Sequence, residues 1–260
     1  MKAIFLTYDR HRPFAKQCLM THEKSGAFDD IQYLVPWDKD YPNELISMFG
    51  EDKIIPIKTE SPIKKTIETL LENVEDEEWV YWLMNDNYID KVTSIEKARL
   101  AIDWVNNHSA PTDYSLQLFM GPYNIEHGIV SPQNFVEHKN EKQTIRLYKK
   151  SKITYQWRSQ FCRAKVIKTM FSCLDEPKQM KDMDYQLLTS AAKPFWDLAK
   201  EGNFYAILPS VVLLAEQINK SKMTKNCADS FEELGLKIPD FIEVDEKMII
   251  KMPPPGPYFI

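Results

Sequence analysis

The chain opens on an apolar run, Lys2 to Thr7, that stops abruptly at Tyr8, Asp9, Arg10, His11, Arg12 and Pro13. An apolar run of this length without alternation predicts a buried strand whose end enters a loop. Ala15 to Lys24 has the makings of a helix, and Ile31 to Val35 and Lys53 to Ile57 read as further strands. Ser61-Pro62 then sets a capping-type residue before a proline, and Ile63, Ile67, Leu70 and Leu71 recur at helical spacing, which predicts an amphipathic helix to about Asn73. Trp79 to Met84 is aromatic and apolar throughout and breaks into Asn85, Asp86, Asn87 and Tyr88, the pattern of a central strand that delivers polar groups at its carboxyl end. A second amphipathic helix runs through Ile95, Ala98, Ile102 and Val105, and Ser115 to Met120 supplies another strand before Gly121-Pro122. Strands alternating with helices predict a doubly wound α/β sheet, parallel at its centre and covered by helices on both faces. In such sheets the ligand crevice lies outside the carboxyl ends of the strands.

From Thr144 the period changes. Ile145, Leu147, Ile153, Tyr155 and Trp157 alternate with polar residues, which suits antiparallel strands at the edge of the sheet. Helices are expected from about Ala164 to Leu174, from Asp184 to Ala199, through the apolar stretch Ile207 to Ile218, and around Cys227 to Leu234, giving a single domain with a helical C-terminal part. The tail MPPPGPYFI can continue neither helix nor central strand.

Composition narrows the function classes. Hydrophobic residues make up 43% and charged residues 27% of the 260, as in ordinary globular proteins. A net charge of -5 without a basic stripe argues against a nucleic-acid backbone as partner. No apolar run reaches membrane-spanning length and the opening residues lack a secretory pattern, so a soluble, cytoplasmic protein is expected. Cys18, Cys162, Cys173 and Cys227 form no CxxC pair, and the five histidines show neither HxxxH nor HxH spacing. Reduced, mostly buried thiols and no structural zinc are the expectation.

The strongest chemical feature is WVYWLMNDNYID, a strand ending at Asp86. One or two carboxylates suffice to hold a magnesium or manganese ion against a diphosphate. An aspartate after a strand equally serves as a turn former or helix cap. An apolar strand followed by an acidic group and an aromatic resembles the DxD-type motif of GT-A glycosyltransferases. That resemblance implies Asp86 as ligand of a Mn2+ or Mg2+ ion bridging the phosphates of a UDP-sugar, with Asn85 and Tyr88 in the donor pocket. The sequence departs from the pattern in having Asn85 and Asn87, whose amides accept hydrogen bonds but add no charge. TYDRHRPF is similar to the loop by which such enzymes hold base and ribose. By that likeness Thr7, Tyr8 and Asp9 would contact uracil or ribose, and Arg10 or Arg12 would reach phosphate with a bidentate guanidinium. A charged surface turn is the plainer alternative.

Three later segments, WRSQFCRAKVIKTMF, MDYQLLTSA and AEQINKSKMTKN, resemble stretches of small bacterial and phage (cyanophage-like) glycosyltransferases. In the second, Asp184, Tyr185, Gln186 and Ser190 match a WDFELxGS-like pattern, with Gln186 where relatives have Glu; in the third, Ser221, Lys222 and Met223 match a GKW-like one. The resemblance implies Asp184 as the base that takes the acceptor's proton, with Asp182 as understudy, although either could simply cap a helix. Lys222 would neutralise the leaving diphosphate, and Arg158 or Arg163 would hold donor or acceptor oxygens, although lysines and arginines in such mixed stretches are usually solvated faces. Trp37, Trp157 and Trp196 are either sugar-stacking platforms or core. Residues 1–123 would then bind the nucleotide sugar and residues 124–260 the saccharide acceptor, for transfer of a hexose such as glucose or galactose. The alternatives are a nucleotidyltransferase, which normally has a glycine-rich phosphate loop that is lacking here, and a non-catalytic carbohydrate-binding relative.

Overall fold

The computed structural model describes residues 1–85, 87–120, 130–151, 159–175, 180–219 and 221–247. Asp86, Trp157, Arg158 and the proline-rich tail lie outside them.

The first strand, β1 (Lys2–Leu6), feeds a 3-10 turn and α1 (Arg12–Ser25), which begins with Pro13 in its first turn and ends on Gly26 at φ 62, a left-handed cap that glycine adopts without a Cβ penalty. Then follow β2 (Gln32–Trp37), α2 (Asn43–Phe49), β3 (Ile54–Lys58), α3 (Ile63–Leu71) and β4 (Trp79–Met84). Strands β3, β2, β1 and β4 lie side by side and parallel. Side chains alternate across each strand, so every strand feeds two cores. Ala3, Phe5, Tyr33, Val35, Tyr81 and Leu83 point to one face, where α1 packs through Ala15, Cys18 and Leu19. Ile4, Leu6, Leu34, Val80, Trp82 and Met84 point to the other, where α3 packs through Ile67, Leu70 and Leu71.

Beyond β4, a short strand β5 (Asn87–Val92) leaves the sheet, and α4 (Ile95–Asn107), capped by the Ser94 hydroxyl, returns to the α1 face through Ala98, Ala101, Trp104 and Val105. Next come β6 (Asp113–Gln117), β7 (Val130–Lys139), β8 (Thr144–Lys150), β9 (Gln160–Arg163), α5 (Ala164–Ser172), α6 (Met180–Leu187), α7 (Lys193–Glu201) and β10 (Asn203–Ile207). They complete a nine-stranded mixed sheet in the order β3-β2-β1-β4-β9-β6-β10-β8-β7. Helices α5, α6 and α7 cover the α3 face through residues such as Ile167, Met183 and Phe195. The expected mixed α/β architecture with helices on both faces is what the chain adopts, and β8 pairs antiparallel with both β7 and β10 toward the sheet edge.

Two expected helices need correction. Ile207 to Ile218 is not helical: it holds the end of β10 and then β11 (Val212–Glu216), which pairs antiparallel with β5. Pro209 explains this, because proline lacks the N–H that a helix interior needs. The stretch Asp184 to Ala199 is divided between α6 and α7, and Pro194 lies in the first turn of α7, where a missing N–H costs nothing. The C-terminal part is therefore mixed. It continues with β12 (Ile218–Asn219), β13 (Lys222–Thr224), α8 (Lys225–Glu233) and β14 (Val244–Asp245), a small layer whose core joins Met223, Cys227 and Phe231 to Phe14 of α1 and Tyr88 of β5.

Candidate functional site

The winding reverses at β1. From it the chain moves by α1 to β2 and on to β3, and then α3 carries it back past β1 on the opposite face to β4. The carboxyl ends of β1 and β4 are neighbours in register, with Leu6 opposite Met84, and from them the chain runs in opposite directions along the sheet, from β1 toward β2 and from β4 toward β6. This is the topological switch point at which open α/β sheets leave a crevice.

The residues delivered there are polar. Asn85 donates through Nδ2 to Thr7 Oγ1 at 3.4 Å and to His11 Nδ1 at 3.2 Å. With Nδ1 accepting, the imidazole proton sits on Nε2 and is shared with the Tyr8 hydroxyl. Burial, and then the charge of Arg10, lower the His11 pKa from 6.5 to about 4, so the ring is neutral at physiological pH. Burial raises the Tyr8 pKa, against the pull of Arg10, and keeps the phenol protonated. Tyr8 is 53% exposed, and its O–H is available as a donor toward the crevice. Asn85 uses both amide hydrogens on Thr7 and His11, which leaves its carbonyl oxygen as an acceptor among the described residues.

The two arginines of the loop have separate placements. Arg10 is exposed, with its guanidinium 4.6 Å from the centre of the Phe241 ring. Arg12 turns inward and donates through Nη2 to Asp9 Oδ1 at 3.1 Å, to the Pro36 carbonyl at 2.8 Å and to the Asp40 carbonyl at 3.3 Å. Asp9 accepts the backbone N–H groups of Asp38, Lys39 and Asp40 at 3.3, 2.8 and 3.0 Å. Burial alone would raise the Asp9 pKa, but these three amides and Arg12 outweigh it and hold the carboxyl below its ordinary value. Asp9 and Arg12 thus fasten the loop after β1 to the loop after β2.

Asn87 Oδ1 accepts from the backbone N–H of Ser159 at 3.3 Å, and the Ser159 hydroxyl accepts from Met84 N at 3.2 Å, which closes the floor beside β4. Tyr88 is buried and its hydroxyl accepts from Asn226 Nδ2 at 3.0 Å, so it anchors β5 to α8. Lys222, on β13, pairs with Glu243 at 2.8 Å. Asp182 is partly buried in the first turn of α6, and the side chain of Asp184 on the same helix lies outside the described residues. Arg163 stacks on Trp79 at the amino end of β4, opposite the crevice. Trp196 donates Nε1 to the Leu187 carbonyl at 2.8 Å and belongs to the helical core on the α3 face, whereas Trp37 ends β2 with Lys58 4.2 Å from its ring centre.

A divalent ion needs carboxylate oxygens. Among the described residues, the crevice presents a hydroxyl, amides, a phenol and a neutral imidazole, and its one carboxylate, Asp9, is taken by backbone amides. Charge for an ion at β4 would have to come from Asp86. Sequence reasoning missed His11 and Phe241. His11 was visible inside the polar cluster, but nothing in the sequence brings Phe241, whose ring stacks at 9° on His11, to the same place.

No protein-family model and no curated protein matches the chain. Among solved structures, it is similar to the 2-C-methyl-D-erythritol 4-phosphate cytidylyltransferase of Francisella tularensis, at 12% identity and a TM-score of 0.42, over 90% of this chain and 97% of that one. It is also similar to the galactosyltransferase LgtC in complex with donor and acceptor sugar analogs, at 11% identity and a TM-score of 0.47, over 92% of this chain and 98% of that one. An active-site mutant of LgtC gives 10% identity and a TM-score of 0.46 over the same shares.

Proposed function

We propose that the chain is a glycosyltransferase that takes its sugar from a UDP-sugar held at the carboxyl ends of β1 and β4 and passes it to a saccharide hydroxyl. The observation that carries this reading is the switch point itself, lined by Thr7, Tyr8, His11 and Asn85, with the exposed Arg10 beside it. A uracil ring needs paired donors and acceptors, and the Asn85 carbonyl, Thr7 hydroxyl and Tyr8 phenol supply both. A diphosphate needs positive charge, which Arg10 provides; Arg12, committed to Asp9, serves the frame instead. Asp86 is proposed to hold a Mn2+ or Mg2+ ion, and Asp184, with Asp182 as second choice, to accept the acceptor's proton. The described residues do not by themselves make an ion site.

The test is a screen of nucleotide sugars for donor hydrolysis, with and without divalent metal, joined to calorimetry of UDP binding. The expected outcome is release of UDP from one donor and UDP binding that weakens on chelation and in Asp86→Ala. Asp184→Asn should keep donor binding and lose about 10²- to 10⁴-fold in turnover, as removal of a general base does. Absence of UDP binding in wild type would overturn the proposal. Release of pyrophosphate from a nucleoside triphosphate and a sugar phosphate would replace it with nucleotidyl transfer.

A further inference from the structure

Three side chains that play no part in the crevice converge at the far end of α4. Asp103 lies on α4, His108 follows its last turn, and His138 lies on β7, the edge strand of the large sheet. His138 Nε2 is 3.0 Å and His108 Nε2 3.4 Å from the same oxygen, Asp103 Oδ2. One ligand atom from each of the three falls within 4.8 Å of the others, and the two imidazole rings are 4.6 Å apart. The other carboxylate oxygen, Asp103 Oδ1, accepts from Asn107 Nδ2 at 2.8 Å, which fixes the plane of the carboxylate and turns Oδ2 toward the histidines.

The geometry points to a transition-metal site of two histidines and one carboxylate, of a kind that takes Zn2+ and, less selectively, Co2+, Ni2+ or Cu2+. Zinc binds imidazole nitrogen and carboxylate oxygen at about 2.0–2.2 Å in tetrahedral array, which sets neighbouring ligand atoms about 3.3–3.5 Å apart. The separations of 3.0 and 3.4 Å to Asp103 Oδ2 need only tenths of an ångström of adjustment, and the ligand atoms of the two histidines lie within 4.8 Å of each other. Imidazole nitrogens select such ions over magnesium or calcium, which prefer all-oxygen sites. Asn107 plays the part that outer hydrogen-bond partners play elsewhere, fixing the orientation of a ligand. With three protein ligands and His108 52% exposed, the fourth position is open to water. Histidine spacing concealed the site because its two histidines come from different elements and meet only when β7 docks beside α4. An ion there would rivet the edge strand to the helix that backs it.

Titration of the full-length chain with Zn2+ by calorimetry, together with Co2+ absorption spectra, tests the assignment. The expected result is one ion per chain in wild type, a Co2+ spectrum without thiolate charge transfer, and a rise in thermal midpoint with Zn2+. Substitution of one ligand should weaken binding by at least the roughly 10- to 100-fold that loss of an outer partner costs. His108→Gln is the decisive variant, since that side chain is exposed and its removal spares the core; Asp103→Asn and His138→Gln should follow it. Asp86→Ala should bind Zn2+ as wild type does, which separates this site from the crevice. No binding in wild type, equal binding in His108→Gln, loss of binding in Asp86→Ala alone, or a thiolate spectrum would each overturn the inference.

Discussion

His22 is fully buried on α1, and its hydrogen bonds set its tautomer: Nδ1–H donates to the Cys18 carbonyl at 2.8 Å and Nε2 accepts from the Tyr81 hydroxyl at 3.0 Å. Burial lowers its pKa from 6.5 to about 4, the Cys18 bond opposing. Because the folded value lies below the unfolded one, the unfolded chain takes up the proton first as the pH falls. Stability is intact above pH 6.5 and is lost progressively down to pH 4, by on the order of 3 kcal/mol for this residue. Urea unfolding across that window should show the fall, and His22→Gln should reduce it, leaving the share of His11, whose pKa is lowered over the same range. Asp9 acts lower on the scale. Its depressed pKa stabilises the fold above 3.8 and is lost only as the pH drops further, so it contributes little to the His22 window. At this scale the sequence located the polar cluster Tyr8 to Arg12 at a strand end but could not assign its members. A single 3-10 turn, Asp9–His11, sends Arg10 outward to Phe241 and Arg12 inward to Asp9, and no propensity distinguishes two arginines two positions apart.

Thr224 joins three elements. Its hydroxyl, on a residue with zero exposure, caps α8 by accepting from Cys227 N at 3.3 Å and donates to the Glu216 carbonyl of β11 at 2.9 Å. Thr224→Val keeps the shape and removes the bonds, so a loss of about 1–3 kcal/mol in unfolding free energy is expected, from an uncapped helix and the lost hydrogen bond to the Glu216 carbonyl. An unchanged urea midpoint would refute it. The elements that were legible are those with an unambiguous period: β4 at Trp79–Met84 and α4 starting at Ile95 match the pattern closely. The strands β10 and β11 were not, because FYAILPSVVLLAE is apolar at nearly every position, and a continuous apolar stretch fits a buried helix as well as two short strands. Pro209 was the signal that could have decided between them. Strand β5 was hidden for the opposite reason, since its pairing with β11 is set by a segment more than a hundred residues away.

In the whole molecule, strands from early and late sequence interleave. β6 lies between β9 and β10, so no cut near residue 123 leaves a complete sheet. A fragment of residues 1–123 would expose β4 and β6 along edges that β9 and β10 normally cover, with the aromatic faces of Tyr81 and Trp82 losing Phe161 and Phe171. We expect it to aggregate or to lack the dispersed amide spectrum of a folded protein; a cooperative unfolding transition in the isolated fragment would contradict this. Phe241 sits against His11 and Arg10 in the same spirit, a late residue finishing an early loop. During synthesis the chain lengthens at about 5–20 residues per second, so Arg10 and His11 emerge some 10–50 s before the ring that covers them. This loop is consequently complete only once a segment about 230 residues further along the chain has been made. A ligand that needs this loop complete therefore cannot act as an early template for the fold, and whatever rescues a slow-folding variant by binding there must act after Phe241 has been made.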